Sequence, residues 1–189
     1  WTDRTVTISK QDVAGNELKD AILTLTDEAG NTVDSWKSDG TAKVLTVKPG
    51  RYTLTEDQAP AGYDQAQSID FTVSFDENNN TVITTDEGVV PEVIMTDELS
   101  SHKVVVRKTD VAGNELEGAI LTVTDKDGKE VASWKSDGTA KELELKPGTY
   151  TLTENQAPAG YEQAQSITFT VDYDENGNTV ITTDEGVVP

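Results

Sequence analysis

The 189-residue sequence contains no cysteine. That excludes disulfides, thiolate metal sites and cysteine nucleophiles, so a domain exposed outside the cell would need some other covalent staple. Its single histidine, His102, excludes multi-histidine metal sites and histidine-dependent triads. Basic residues are scarce as well: 15 Lys and Arg stand against 35 Asp and Glu, a net charge of −20. Such a chain repels phosphate and anionic lipid, so neither nucleic acid nor a membrane surface is an expected partner. The charge reads as a well-solvated, non-sticky surface. No apolar run is long enough to cross a bilayer, and no signal-peptide pattern opens the chain. The segment is therefore expected to be soluble, with any targeting or anchoring signal lying outside it. A 3.6-residue apolar period is also lacking, and little helix is expected.

What is present is alternation. Thr and Val are abundant, and Gly, Asn, Asp and Pro fall at short intervals between apolar alternations. Val6–Pro91 aligns without gaps onto Val104–Pro189 at an offset of 98, with 64 identities over 86 positions. A period this long predicts two self-contained domains, 1–98 and 99–189, joined by a linker over Glu98–Lys103. Differences such as Lys19/Glu117, Glu28/Lys126 and Thr46/Glu144 fall on outer strand faces or turns. In the first copy strands are expected at Thr5–Lys10, Ala21–Thr26, Thr32–Lys37, Lys43–Val47, Arg51–Glu56, Ile69–Phe75, Thr81–Thr85 and Glu92–Asp97. The fold class is all-β: two tandem Greek-key sandwiches of immunoglobulin-like size.

Three charged residues break the strand pattern. Val6 and Ile8 share a face, and the next residue on it is Lys10. Tyr52 and Leu54 lead in the same way to Glu56, and Val93 and Met95 to Asp97. The second copy repeats two of the three, with Lys108 after Val104 and Val106 and with Glu154 after Tyr150 and Leu152. Burial favours the neutral form of an amine and of a carboxylic acid alike. A neutral amine is a nucleophile, a protonated carboxyl can lose water, and a second carboxyl nearby can move protons between them. Those are the ingredients of an amide bond between side chains. The alternative is a strand-end ion pair with the lysine stem packed and its head reaching toward water.

The segments LTEDQAPAGY (54–63) and LTENQAPAGY (152–161) resemble the glutamate-ended motif of Cna B-type, prealbumin-like domains of Gram-positive surface adhesins and pilins. The resemblance extends over each whole copy, through Lys10 before Asp12 and Gly15, the Ser35–Gly40 segment, Pro49–Tyr52 and the closing Val93–Asp97. It implies a spontaneous intramolecular isopeptide bond in which Lys10 is nucleophile, Asp97 acyl acceptor and Glu56 proton shuttle, with water leaving. Asp86 is a rival acceptor in a turn-like segment that has no place in the family pattern. For the second copy it implies the same roles for Lys108 and Glu154. The offset places their acceptor at position 195, beyond Pro189. The second domain is thus expected to lack its closing strand here, that strand belonging to the parent protein outside this segment or coming from another chain.

Asp76–Asn80 and Asp174–Asn178 lack the spacing of an EF-hand and read as polar hairpin turns. Trp36 and Trp134 stand at equivalent mid-strand places, where packing explains them, and Trp1 is expected at an inter-domain junction. No cofactor and no metal is called for. The leading expectation is a monomeric, cell-wall-attached extracellular stalk whose partners are neighbouring repeats, each domain reacting once on itself and not turning over as an enzyme. Two rivals are a module that binds a host matrix protein and an acceptor domain that captures a strand in trans through Lys108.

Overall fold

The computed structural model describes residues 2–188, and every regular element among them is a β-strand. They fall into two compact units, and the chain passes from one to the other between Leu99 and Ser100. Trp1 lies outside the described residues.

In the first unit the strands are β1 (Arg4–Asp12), β2 (Lys19–Asp27), β3 (Thr32–Asp39), β4 (Lys43–Val47), β5 (Gly50–Gln58), β6 (Ile69–Phe75), β7 (Thr81–Thr85), β8 (Gly88–Val90) and β9 (Val93–Asp97). A six-stranded antiparallel sheet runs β3-β2-β5-β6-β7-β8, and a three-stranded sheet runs β4-β1-β9. Within the smaller sheet β1 is antiparallel to β4 and parallel to β9, the register running from Ile8↔Val93 to Asp12↔Asp97. Alternation decides which side chains go inward: Val6 and Ile8, Leu23 and Leu25, Phe71 and Val73 are all buried. Hairpins close on a recurring device. Asp27, for example, accepts the backbone N–H of Ala29 at 3.0 Å and of Asn31 at 2.9 Å.

In the second unit the strands are β10 (His102–Val106), β11 (Glu117–Asp125), β12 (Glu130–Asp137), β13 (Lys141–Leu145), β14 (Gly148–Gln156), β15 (Ile167–Tyr173), β16 (Thr179–Thr183) and β17 (Gly186–Val188). Its large sheet repeats the first unit's order, but the small sheet contains only β10 and β13. Among the described residues nothing occupies the place of β9. The consequence is local: β1 is nine residues long and β10 five, because the Ile8–Asp12 half of β1 is the half that pairs with β9.

Two expectations are corrected. The linker is shorter than Glu98–Lys103: the Glu98 carbonyl accepts the Asp64 N–H, Leu99 bridges to Tyr63, and His102 and Lys103 already belong to β10. His102 is buried, not a linker residue; its Nδ1 lies 3.2 Å from the Thr179 hydroxyl and its ring stacks on Tyr173. It occupies the place of Arg4, whose guanidinium lies over Phe75 and donates to the Asn79 carbonyl. The short β8 and β17 were not anticipated, since three residues carry too little alternation to read.

β9 covers apolar surface that its absence leaves open. Leu54 is fully buried, whereas the equivalent Leu152 is only partly so. Leu54→Ala is expected to destabilise the first unit by about 2–5 kcal/mol, and Leu152→Ala the second by less, since it deletes fewer packed contacts. Hydrogen exchange read separately in each unit checks the order; equal costs would contradict it.

Candidate functional site

β1 and β9 are parallel neighbours in the small sheet, so the phase that buries Val6 and Ile8 also buries Lys10, and the phase that buries Val93 and Met95 buries Asp97. Glu56 comes from β5 in the other sheet, inward behind Tyr52 and Leu54. The three meet inside the sandwich. Lys10 is 2% exposed, Glu56 and Asp97 0%, so all three are withdrawn from water together. Lys10 Nζ lies 3.2 Å from Glu56 Oε1 and donates to Asp97 Oδ1. A buried ammonium stands between two buried carboxyl groups, with Ile8, Leu54 and Met95 preceding them on the same faces.

The environment acts most strongly on Asp97. Burial pushes the Asp97 carboxyl up from its ordinary 3.8 to about 6; the Lys10 ammonium opposes the rise and the Glu56 carboxylate adds to it. Asp97 Oδ2 has no hydrogen-bond partner, an arrangement that suits an acid group more than a fully charged one. Asp86 is exposed in the turn after β7, away from this cluster.

Glu56 is held by features that strand phase alone does not reveal. Its Oε2 accepts the Ala66 N–H at 2.7 Å, and the Gln65 side-chain amide donates to the Glu56 backbone carbonyl. Both donors lie in the irregular segment between β5 and β6. The only signal for them in the sequence is the QAQSI stretch repeated in both copies, one of many identical stretches.

The second unit assembles two of the three groups. Lys108 Nζ is 3.2 Å from Glu154 Oε1, the Ala164 N–H donates to Glu154 Oε2 at 2.6 Å, and Gln163 donates to the Glu154 carbonyl. Glu154 is buried, but Lys108 is 17% exposed against 2% for Lys10. It opens on a cleft of about 150 Å³ lined by Leu121, Leu152, Ala164 and Ile167. The turns considered for calcium use their carboxylates internally: Asp76 accepts the N–H groups of Asn78 and Asn80, and its carboxyl is held below the ordinary value mainly by the Asn80 side chain. Trp36 and Trp134 are partly buried against their respective cores, as packing alone requires.

The family model described as the SpaA prealbumin-like fold domain matches residues 4–88 and again 102–186. No curated protein matches the chain. Among solved structures, the Bacillus anthracis TIE protein is 29% identical over 94% of this chain and 33% of its own, with a TM-score of 0.48. The pilus adhesin SpaC from Lactobacillus rhamnosus GG is 19% identical over 98% of this chain and 28% of its own, with a TM-score of 0.44. The shaft pilin spaA from the same organism is 14% identical over the whole of both chains, with a TM-score of 0.41. This chain spans a third or less of the length of the first two. With two matched segments that cover most of its length, the chain belongs to the SpaA prealbumin-like fold domain family and carries that domain twice in tandem.

Proposed function

We propose that the chain is a stalk segment of an extracellular, cell-wall-attached surface protein, and that its first domain is stapled by an autocatalytic isopeptide bond between Lys10 and Asp97. The observation that carries this reading is the dry Lys10–Glu56–Asp97 cluster, in which an amine, an acid and a proton carrier share one apolar interior. Glu56 takes a proton from the Lys10 ammonium. The free amine attacks the carbonyl carbon of protonated Asp97, forming the N–C bond. One nitrogen proton passes to an oxygen of the tetrahedral carbon. A hydroxyl then leaves as water with a proton from Glu56, and the second hydroxyl returns its proton to Glu56 as the carbonyl re-forms. The balance is one ammonium, one carboxylate and one carboxylic acid in; one amide, one water and one protonated Glu56 out. The site is consumed, so each domain reacts once.

The bond supplies the staple that a cysteine-free chain lacks. By analogy with disulfide loop closure, tying the first strand to the last stabilises the domain by roughly 4–5 kcal/mol, against a usual margin of about 5–15 kcal/mol. It also reroutes force. A pull on the two ends of the domain runs along β1 to Lys10, crosses the amide and leaves at Asp97, so the chain between them carries no load.

A second reading applies to the second unit alone. Beyond the single bridge Thr109↔Glu115, the residues after Val106 have no counterpart of β9 beside them among those described, and Lys108 and Glu154 face an open cleft. That edge suits an added strand ending in an acid. A peptide of sequence EVIMTDEL is expected to form a covalent adduct at Lys108, located by fragment mass; binding without an adduct would contradict competence.

For the first domain, the intact mass is expected to fall short of the sequence mass by one water. Lys10→Ala, Asp97→Ala and Glu56→Ala should each restore the full mass, and a full mass in the wild type would leave only an ion pair. The unreacted Lys10→Ala variant tests the acceptor. With the lysine's lowering influence gone, folded Asp97 keeps its proton to about 6 or higher, against 3.8 when unfolded. The folded state therefore binds more protons in that window, and this contribution to stability is full at low pH and lost as pH rises through the folded value. Urea midpoints of Lys10→Ala should fall relative to Lys10→Ala/Asp97→Ala as pH rises from about 4 through about 6. Parallel curves would contradict the shift.

A further inference from the structure

Glu56 sits where the regular sheet gives out on both sides. Its pairing with β6 has ended, the last partners being Leu54↔Ile69. Its pairing with β2 slips at the same level, Leu23 opposing Glu56 and Ile22 opposing Gln58, so that Asp57 bulges. A carboxylate needed at one defined position is thus mounted on the least regular part of its strand. Where β6 would otherwise continue the ladder, the Gln65 side chain donates to the Glu56 carbonyl and the next residue, Ala66, donates its N–H to Glu56 Oε2.

We infer that Gln65 is a positioning residue for the proton shuttle, and Gln163 its counterpart in the second unit. This rests on the isopeptide reading above. The amide tethers the segment before β6 to the Glu56 backbone and so aims the Ala66 N–H at one carboxylate oxygen. That oxygen is occupied, leaving Oε1 as the one that faces the Lys10 amine. Without the tether the Glu56 carboxylate can rotate, and the oxygen meeting the amine is no longer fixed. The second unit carries the argument independently. There Gln163 donates to the Glu154 carbonyl and the Ala164 N–H to Glu154 Oε2, β14 slips against β11 at the same level, and Glu154 Oε1 faces Lys108, although no counterpart of β9 stands among the described residues. The clamp is therefore set by the strand bulge and the glutamine, and precedes arrival of the acceptor.

The test times water loss by intact mass as the unfolded, unreacted full chain is refolded by dilution, with tryptophan fluorescence following folding. Gln65→Met keeps the side-chain length but cannot donate. It is expected to fold at the wild-type rate and lose water about 10–100-fold more slowly, the range seen when a residue that orients a functional ligand is removed. In a Glu56→Gln background, where no shuttle remains to be aimed, the chain should keep its full mass with or without Gln65→Met. Equal rates for wild type and Gln65→Met overturn the positioning role and leave the isopeptide reading standing; a wild type that keeps its full mass overturns both. Should Gln65→Met fail to fold, Gln163→Met in the second unit decides. The Ala164 amide is expected to exchange at least 10-fold faster while the unit's other strands keep their protection, and unchanged Ala164 exchange overturns the proposal.

Discussion

One buried ammonium between two buried carboxyl groups constrains the rest of the first domain. An isolated charge at such depth is too costly to keep, and a pair held there is tolerated only if its partners are fixed and the site is closed. Each requirement selects a structural feature. Closure demands a strand over the top of β1, and β9 provides it. Fixation demands that the Glu56 carboxylate arrive from the opposite sheet with one oxygen already engaged, and the segment before β6 supplies the donor, the Ala66 N–H. The apolar residues next to each charged one then keep water out.

The two units separate the cost of this arrangement from its use. They share the lysine, the glutamate, the bulge and the clamp, and differ in the covering strand. Where the cover is present, Lys10 is sealed and its strand extends to Asp12; among the described residues of the second unit the strand stops at Val106 and Lys108 reaches toward solvent. Half of β1 is therefore a strand because of what pairs with it, not because of its own residues. Local propensity at Arg107–Asp110 does not hold extended pairing without a neighbour.

Strand phase was enough to find Lys10, Glu56 and Asp97, because a period of two gives each side chain a side and a charge on the apolar side stands out. It found the large-sheet strands of the first unit other than the short β8 for the same reason, and the repeat predicted two domains. What it could not show is what the third dimension decides. The parallel pairing of β1 with β9 joins residues far apart in sequence. Gln65 looks like any solvated polar residue until the bulge leaves a carbonyl for it to meet. His102 reads as linker only if the alternation is begun at Val104; it stands on the same phase as Val104 and Val106, and that phase carries it inward onto Tyr173.

The same cluster explains why condensation would run downhill here when water opposes it elsewhere. In solution an amine and a carboxylic acid are separately charged and well hydrated at neutral pH, and making an amide forfeits both hydrations. Inside the sandwich that hydration has already been given up on folding, so the Lys10 ammonium and the Glu56 carboxylate start from a raised free energy, while burial pushes Asp97 toward its neutral form. Joining Lys10 to the neutral Asp97 would remove the ammonium, leave its proton on Glu56 in place of the second poorly solvated charge, and release a water molecule to the solvent. Folding thus stores the driving force and sets the geometry in one step, and an unfolded chain has neither. A linkage made this way would need no outside enzyme and no activated donor, and would form only in a domain that has already folded correctly.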